Sequence, residues 1–408
     1  MALAPESRKD AQSIRTHQLS AETEGSVLPH RYSAAEQAGS RSGPAEMQQN
    51  QSVSAVPNEF IIERNEPILV TGASGFIGFR LVQTLLGLGF SQVRCFTRPS
   101  SNMTHTDALS RLSHDGIRVE VLKGNLLSPA DCATATKNAA VIFHLAAGRG
   151  EKSYPDAFIN SVVTTRNLLE ATLGHHCLKR FVNISSFSVY SNRRKDIYRL
   201  LDESCPVEEF PALRGEAYCF AKVEQDKIVE EYGRKMGIPY TIVRPGQVYG
   251  PGNEGISGRV GIGTFGIFLH LGGSNKLPLT YVDNCAEAIA LAGLKTGADG
   301  QVFNVVDDDL PSSRKFLRMY KKNVASFPSL YVPHFLSYTL CYLWEKYSRW
   351  SEEQLPPAFN RKRWHAYWKR TRYSNEKLKA QLGWKPKIST DEGLRYFFES
   401  CRNRRANA

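Results

Sequence analysis

The chain of 408 residues contains a tyrosine and a lysine whose spacing suits proton transfer. Tyr218 and Lys222 lie four residues apart in a segment with helical apolar spacing, so we expect both side chains on one helix face. A tyrosine hydroxyl loses its proton at about pH 10, but a neighbouring cation stabilises the phenolate and lets it act as acid or base near neutral pH. The strand before this helix ends in Ser185 and Ser186, and a hydroxyl there would hold a substrate carbonyl or hydroxyl. The spacing alone occurs in many helices by chance, so its meaning depends on the rest of the chain.

Three glycines predict a cofactor site in the first part of the chain. A short apolar strand runs into Gly72, Gly75 and Gly78, and an amphipathic helix that includes Phe76 and Ile77 follows. Gly72 would allow a tight turn, Gly75 a close approach to a pyrophosphate, and Gly78 close packing of helix on strand. The helix N-terminus offers N–H groups and a positive dipole end to phosphates. The alternative is a tight turn that binds nothing.

The next two strand ends refine this prediction. After the second strand, residues 92–97, an NAD site usually places an Asp or Glu, whereas this chain places Arg98. An arginine suits a 2′-phosphate, so we predict NADP rather than NAD, with a solvated loop charge as the alternative. The fourth strand, residues 140–147, ends in small residues that let a cofactor lie against the backbone at Ala146. Lys222 could also hydrogen-bond the nicotinamide ribose, whereas His144 is interpreted as a structural hydrogen-bonding group.

Strands and helices alternate along most of the chain, which predicts an α/β fold with a doubly wound parallel sheet. We expect one helix over residues 160–171, a strand over 180–190 and a last strand over 301–306. The glycine-rich residues 255–273 are predicted to form a mobile segment that could cover a substrate.

Six motifs in order resemble the extended short-chain dehydrogenase/reductase superfamily, in its NAD-dependent epimerase/dehydratase group. The resemblance covers about residues 67–307, and its motifs are TGASGFIG (71–78), HLAA (144–147), ISSFSVY (184–190), YCFAK (218–222), RPGQVYGPG (244–252) and LTYVDN (279–284). It implies a Rossmann fold with a small C-terminal substrate subdomain. It also implies Ser186, Tyr218 and Lys222 as the catalytic set and Pro245 beside the nicotinamide. Where the family often has Gly-Asp-Leu near the adenine, this chain has Asn125 and Leu126 after Gly124.

The same resemblance shapes the functional hypotheses. Sugar-nucleotide enzymes of the family typically carry an arginine just before their Tyr-Val-Asp motif, and this chain has none there. It looks more like the 3β-hydroxysteroid and sterol dehydrogenase-like branch, or the dihydroflavonol reductase-like one. We therefore expect an NAD(P)-dependent oxidoreductase acting on a small-molecule secondary alcohol or ketone. The alternatives are a nucleotide-sugar epimerase or dehydratase with tightly bound NAD, and a non-catalytic NADP-binding scaffold at a membrane. A homodimer is a further expectation from the family.

The net charge of +12 is concentrated near the C-terminus, because residues 312–408 hold 21 Lys and Arg against 7 Asp and Glu. Residues 324–344 contain no charged side chain, and residues 360–373 interleave basic and aromatic ones. A membrane span, a membrane-surface segment and a helix packed over the active-site mouth all remain open for the first stretch. The second could bind nucleic acid, but beside an apolar stretch a contact with an anionic bilayer is the better interpretation, and a solvated basic face is the default alternative. We expect peripheral membrane contact through residues 324–373 and no nucleic-acid partner.

The predicted organisation has four parts. Residues 1–58 lack periodic apolar faces and are predicted to be a disordered leader. Residues 59–310 form the nucleotide-binding domain, residues 311–400 a basic substrate or lid subdomain, and residues 401–408 a tail. No signal peptide is recognised, and the eight cysteines stand singly. We therefore expect a cytoplasmic protein without a metal site. A peripheral position at a membrane surface is compatible with this expectation.

Overall fold

A seven-stranded parallel sheet forms the centre of the molecule in the computed structural model, which describes residues 59–148, 153–192, 200–351 and 359–406. The predicted leader, residues 1–58, lies outside the described residues. The strands are β1 Ile68–Thr71, β2 Gln92–Thr97, β3 Arg118–Lys123, β4 Val141–His144, β5 Arg180–Ile184, β6 Leu200–Leu201, β7 Tyr240–Pro245, β8 Gln247–Tyr249, β9 Gly261–Thr264, β10 Ile267–His270, β11 Leu279–Tyr281, β12 Gln301–Val305, β13 Ser329–Tyr331 and β14 Arg372–Tyr373.

Helices connect the strands. They are α1 Phe76–Gly87, α2 Met103–Ser110, α3 Pro129–Thr136, α4 Tyr154–Ala157, α5 Thr164–Glu170, α6 Ala217–Met236, α7 Val282–Leu294, α8 Ser313–Asn323, α9 His334–Trp350, α10 Arg361–Tyr367, α11 Glu376–Leu382 and α12 Thr390–Ala406. The predicted helix over 160–171 is wound in two ways, since Phe158–Val163 is a π-helix that continues into α5. The predicted strand over 180–190 ends at Ile184, and Phe187–Val189 forms a 3-10 turn.

The sheet is doubly wound, as predicted. Its strand order is β12-β7-β5-β4-β1-β2-β3, so the direction of winding reverses between β1 and β4. Alternate residues of β1 enter opposite cores: Ile68 and Val70 pack with α1 and α7, whereas Leu69 packs with α3, α5 and α6. Burial on both faces explains why this strand is a continuous apolar run. In such sheets ligands bind beyond the carboxyl ends of the strands at the reversal, which is where the glycine turn and Ala146 lie.

A second, smaller core lies on the C-terminal side. Tyr249, Leu279 and Tyr281 pack there against Phe316 of α8 and Phe397 of α12. Residues from both sides of position 310 therefore share one core, and the predicted boundary at 310/311 stays a prediction. The predicted tail differs from the structure over residues 401–406, because α12 continues to Ala406 and Cys401 is buried.

The glycine-rich segment is more ordered than the sequence suggests. Strands β9 and β10 form an antiparallel hairpin within residues 255–273, and β13 adds to β10 in parallel. The structure differs from the prediction of a mobile loop, because backbone pairing with a strand about sixty residues away in the sequence orders residues 261–270. The covering of a substrate by this segment stays a prediction. Helix α9 packs on one side of this small sheet through Cys341, beside Leu271 and Val332.

Candidate active site

A cavity of about 290 Å³ opens at the carboxyl ends of the central strands. Its lining brings together the glycine turn, the serine-ended strand β5, the start of α6 and the turn after β7. The lining residues are Gly72, Gly75, Phe76, Ile77, Gly78, Leu145, Ala147, Ile184, Ser185, Ser186, Tyr218, Lys222, Pro245, Gly246, Gln247, Val248 and Asn253. Nine of the predicted site residues are in this list, and the three predicted catalytic side chains share one cavity.

The glycine turn is shaped to admit a ligand close to the backbone. Gly72 has φ of +70°, and a Cβ there would lie 3.0 Å from the amide nitrogen of Ala146. A Cβ at Gly78 would overlap the carbonyl oxygen of Gly72 and lie 2.9 Å from the Cα of Ala73. Only glycine fits both positions, so α1 begins directly against the turn with its N-terminal N–H groups at the cavity. The residues present therefore fit a dinucleotide: Gly72, Gly75 and Gly78 would leave room for a pyrophosphate, and Phe76 and Ile77 begin the helix beside it.

Helix α6 fixes the tyrosine and the lysine relative to each other. Tyr218 is 38% exposed in the first turn, whereas Lys222 is buried one turn later. The ammonium group of Lys222 donates to the carbonyl oxygen of Ile184 at 2.6 Å and to Oε1 of Gln225 at 2.9 Å. A buried ammonium needs such partners, because burial without them carries a large desolvation cost. These bonds hold a cation in the cavity lining, one helical turn from Tyr218.

The two serines after β5 have different surroundings. Ser185 is buried and donates to Oδ2 of Asp226 at 2.8 Å. Asp226 also forms a buried ion pair with Arg244 at 3.0 Å; burial raises the pKa of this carboxyl, and the Arg244 charge opposes the rise. Ser186 is partly exposed to the cavity, and its Oγ accepts a bond from the backbone N–H of Ser188 at 3.1 Å. Both serines line the cavity, but Ser185 is buried in a hydrogen-bonded network, whereas Ser186 is the more exposed of the two.

His144 is part of a buried hydrogen-bonded chain behind the lysine. Gln225 donates to Oγ1 of Thr165 at 2.7 Å, and Thr165 lies 2.9 Å from Nε2 of His144. Nδ1 of His144 lies 2.8 Å from Oγ1 of Thr71, which also accepts the N–H of Ala146. The hydroxyl of Thr165 donates to the carbonyl oxygen of Ser161, so it must accept from the Nε2–H of His144. Nδ1 of His144 then carries no proton and accepts from the hydroxyl of Thr71. The interpretation of His144 as a structural hydrogen-bonding group is confirmed. This series of hydrogen bonds connects Lys222 to β1, the strand before the glycine turn.

This burial predicts acid sensitivity. Burial, reinforced by the charge of Lys222, lowers the pKa of His144 to about 3. An unfolded histidine takes up a proton at about pH 6.5, so the unfolded state binds more protons below that pH and stability falls as the pH drops toward 3. We expect the free energy of unfolding to fall by about 3 kcal/mol between about pH 7 and pH 4 from this group alone. Denaturant unfolding across this pH range measures the loss.

The matched variants are His144→Gln and His176→Gln. The first removes the titrating group, and its stability should depend less on pH than that of the wild type. The second changes an exposed histidine, so it should keep the steep acid slope because His144 is still present. Equal slopes in the wild type and His144→Gln would contradict the assignment.

Arg214 ties the serine turn to the catalytic helix. Its guanidinium is fully buried, donates to the carbonyl oxygen of Ser188 and forms an ion pair with Glu216 at 2.7 Å. It also donates to Sγ of Cys219 at 3.3 Å. Burial alone would lower the pKa of Arg214, but the neighbouring negative groups raise it. Arg214 thus joins Ser188, two residues after Ser186, to Cys219, the residue after Tyr218.

The basic segment near the C-terminus packs beside this arginine. Lys362 pairs with Glu208 at 2.8 Å, Arg363 with Glu216 at 3.4 Å, and Arg361 with Glu345 at 2.9 Å. These three cations of α10 are engaged with carboxylates of the protein. The alternative of a solvated basic face is therefore wrong for them, because buried or half-buried acids from other elements neutralise their charge.

Four predicted cofactor residues lie outside this cavity lining. Ala146 packs against Gly72, while Arg98 and Asn125 are exposed just beyond the carboxyl ends of β2 and β3 and Leu126 is buried after β3. Their predicted roles at the adenosine end stay predictions. Near Arg98, Oγ of Ser74 in the glycine turn lies 3.5 Å from Oγ of Ser101, which connects the two loops.

Sequence reasoning missed several lining residues, of which Gln247 is the most informative. Its Oε1 is buried and accepts no hydrogen bond within the described part of the chain, although it lines the cavity. Asn253 lines it too and donates to the carbonyl oxygen of Val248 at 2.9 Å. Both belong to the stretch that contains the RPGQVYGPG motif or directly follows it, so position within that motif was the available signal. A buried acceptor without a partner is a place for a donor group on a bound molecule.

Comparison with known proteins identifies the family that the chain matches. The model of the NAD dependent epimerase/dehydratase family matches residues 68–305. The 3beta-hydroxysteroid-dehydrogenase/decarboxylase isoform 2 of Arabidopsis thaliana is 24% identical over 364 residues, covering 81% of this chain and 61% of that protein. The 3-beta-hydroxysteroid dehydrogenase of Mycolicibacterium neoaurum is 29% identical over 268 residues, covering 62% of this chain and 68% of that protein. The chain thus spans less than two thirds of the length of the Arabidopsis relative.

A solved structure shows the same fold. UDP-glucuronic acid 4-epimerase from Bacillus cereus, in complex with NAD, superposes with a TM-score of 0.62 at 22% identity. The alignment covers 83% of this chain and 99% of that one. The Rossmann architecture predicted from the sequence is confirmed by this likeness and by the strand order.

Proposed function

Because the chain belongs to the NAD dependent epimerase/dehydratase family, we propose that it is an NADP-linked oxidoreductase acting on a lipophilic secondary alcohol or ketone. The observation that supports this proposal most is the convergence of Ser186, Tyr218 and Lys222 on one cavity with the glycine turn. A proton donor, a fixed cation and a hydroxyl around a single space are what carbonyl reduction requires of the protein. A cytoplasmic location is proposed with it on the sequence evidence alone.

The side chains have separate tasks in the proposed reaction. When bound, the nicotinamide supplies or accepts the hydride. Ser186 orients the substrate oxygen, and Tyr218 gives its proton to that oxygen during reduction or takes it during oxidation. Lys222 stabilises the phenolate left on Tyr218, because it holds a positive charge one helical turn away. Pro245 and Gly246 border the cavity on the other side.

An apolar substrate is supported by the cavity wall and by the relatives. Beyond the residues assigned to the cofactor, Leu145, Ile184 and Val248 contribute apolar side chains to the lining. The two dehydrogenases named above act on 3-beta-hydroxysteroids by their names, and this chain resembles them over most of its length and of theirs. Apolar side chains beside positioned polar groups, here Ser186, Tyr218 and Gln247, favour a lipophilic ligand whose oxygen is held by hydrogen bonds.

The rival function is a nucleotide-sugar epimerase that keeps NAD bound, and the structural likeness to such an enzyme favours it. One feature argues against it. In the segment before the Tyr-Val-Asp motif, the only cation is Lys276, whose ammonium donates to the carbonyl oxygen of Leu310 at 2.6 Å. Lys276 lines a different cavity, together with Asp307 and Asp308, rather than the one with the catalytic set. A diphosphate would therefore find no cation from this segment in the proposed active site.

The deciding experiment measures the fate of the cofactor. Purified protein is checked for retained nucleotide and then given NADPH with 3-ketosteroids and simpler lipophilic ketones. Oxidation of NADPH that depends on a ketone, with cofactor exchanged at each turnover, is the expected result. Tightly retained NAD with turnover of a UDP-sugar would replace the proposal with the rival. Cofactor binding without turnover of either class would favour a non-catalytic NADP-binding scaffold.

Cofactor choice is predicted to depend on Arg98. We expect calorimetry to show tighter binding of NADPH than of NADH, and Arg98→Ala to weaken NADPH binding by about tenfold, a loss typical of one charge-assisted contact. Binding of NADH should change little, because it has no 2′-phosphate. Arg111→Ala, at an exposed arginine after α2, is the control for a general loss of positive charge. An unchanged ratio of the two affinities in Arg98→Ala would show that the 2′-phosphate is recognised elsewhere or not at all.

A further inference from the structure

Helix α9 carries an apolar face that no described part of the protein covers. The exposed residues are Phe335, Leu336, Leu340, Leu343, Tyr347 and Trp350, which we call the apolar stripe. From Leu336 onward they follow at spacings of four and three residues, so they form one line along the helix. Phe335 is 75% exposed and Trp350 is 79% exposed, so both ends of the line face solvent.

The most deeply buried residues of the helix are small, whereas its exposed line consists of large apolar side chains. The residues that it buries against the molecule are Ser337, Cys341 and Ser348, and Ser337 accepts a bond from the indole N–H of Trp364 at 2.9 Å. A soluble surface helix normally buries its large apolar side chains and exposes the small polar ones. A contiguous exposed apolar face of this size marks an interaction surface.

Charge around the stripe selects the kind of partner. The only acid of α9, Glu345, is paired with Arg361, while Lys346 and Arg349 are exposed on the flank of the stripe. Helix α8, the helix before α9 in the sequence, carries four more exposed cations, Arg314, Lys315, Arg318 and Lys322, of which Lys315 pairs with Asp391. A large apolar strip flanked by cations is complementary to an anionic lipid surface, where apolar side chains enter the acyl boundary and cations meet headgroups.

The hairpin beside α9 shows the same character. Phe265, at the turn between β9 and β10, is fully exposed. Ile267 and Leu330 are also exposed, and they share the sheet face on which Leu271 and Val332 pack against α9. The apolar exposure is therefore shared by two elements that pack together, and is not confined to a single side chain.

We propose that the apolar stripe of α9 docks this protein on the surface of an anionic bilayer. The helix lies in the interface plane, with the stripe in the lipid and Lys346 and Arg349 at the headgroups. No described helix is long and apolar enough to cross a membrane, and an interfacial position does not require one. The proposal narrows the sequence-based expectation for residues 324–373 to α9 and its hairpin neighbour, because the cations of α10 are paired within the protein.

The test is sedimentation of the full chain with vesicles of phosphatidylcholine alone or mixed with phosphatidylserine. The wild type should bind the mixed vesicles more tightly, and salt should weaken that binding. Replacing two stripe residues together, Leu340→Glu with Leu343→Glu, should weaken binding by about tenfold or more, because apolar burial is lost and charges must be desolvated. Both positions are exposed, so the unfolding midpoint and circular dichroism spectrum should stay those of the wild type.

The matched control is Leu173→Glu with Met236→Glu, which makes the same charge change at exposed apolar positions of the nucleotide-binding part. It should bind vesicles like the wild type. A blue shift of tryptophan fluorescence on adding vesicles, reduced in Trp350→Phe, would place the stripe in the lipid. The proposal is overturned if the wild type binds neither vesicle, or if the stripe variant binds as well as the control. It is equally overturned if the wild type is a dimer that the stripe variant dissociates while vesicles bind neither form.

Discussion

Replacing Tyr218 with phenylalanine is expected to lower the turnover number by about a thousandfold, the middle of the range for losing a positioned acid–base group. The change removes one oxygen at a side chain that is partly exposed in the cavity, so we expect cofactor affinity and the unfolding midpoint to remain those of the wild type. Steady-state kinetics with NADPH and a ketone substrate, together with calorimetry of cofactor binding, separate the two effects. The loss should appear in kcat rather than in the cofactor dissociation constant.

The same helix offers a matched control in Tyr232→Phe. The hydroxyl of Tyr232 donates to Oε1 of Glu170 at 2.9 Å on the outer part of α6, away from the cavity lining. This variant should turn over like the wild type. If Tyr218→Phe also retained full activity, Tyr218 would not be the proton donor. A separate outcome, in which no substrate is found for the wild type, would support the scaffold alternative.

The second large effect is expected for Gly78→Ala. The added methyl group would overlap the carbonyl oxygen of Gly72 and lie 2.9 Å from both the Cα of Ala73 and the carbonyl carbon of Gly72. All three atoms belong to the backbone of the turn, so relief requires α1 to move away from the turn. We expect a loss of about 3 kcal/mol in the free energy of unfolding and of about tenfold or more in cofactor affinity, as for overpacking at a rigid site.

Gly87→Ala is the control on the same helix. Gly87 is the last residue of α1, and a Cβ there meets no atom within 4 Å. Alanine should leave cofactor binding unchanged and stabilise the protein by under about 1 kcal/mol, because it restricts the unfolded chain and favours the helix. Denaturant unfolding and NADPH calorimetry on both variants measure the contrast. If Gly78→Ala kept the stability and the NADPH affinity of the wild type, the close approach of α1 to the glycine turn would not be required for folding or for cofactor binding.

The features that the sequence predicted correctly are those with local causes. The apolar run of β1, the glycines after it and the helical pattern of α1 are neighbours in the chain, and each restricts the backbone directly. The four-residue spacing of Tyr218 and Lys222 likewise has one geometric consequence once α6 forms. The order of strands and helices was enough to predict a doubly wound sheet, because parallel strands need crossover connections.

The features that the sequence predicted poorly depend on distant pairing. The hairpin of β9 and β10 looked like a mobile loop because its glycines hide the strand pattern, and β13 joins it from far along the chain. The basic segment 360–373 looked solvated because its acidic partners, Glu208, Glu216 and Glu345, lie elsewhere in the sequence. Charge patterns indicate which groups need partners, but not whether a solvent ion or a protein carboxylate supplies them.

The sequence by itself determined the sheet and the cofactor turn, since each rests on residue types at short spacings, whereas the proposed catalytic triplet came from the family resemblance. Only the tertiary structure showed how the two serines after β5 differ, because both line the cavity but Ser185 also donates to the buried Asp226. It also decided that Lys222 is held by Ile184 and Gln225, and that α9 buries small residues most deeply while its apolar stripe is exposed. The physical reason is that a helical pattern defines which residues share a face, whereas packing against other elements defines which face is buried.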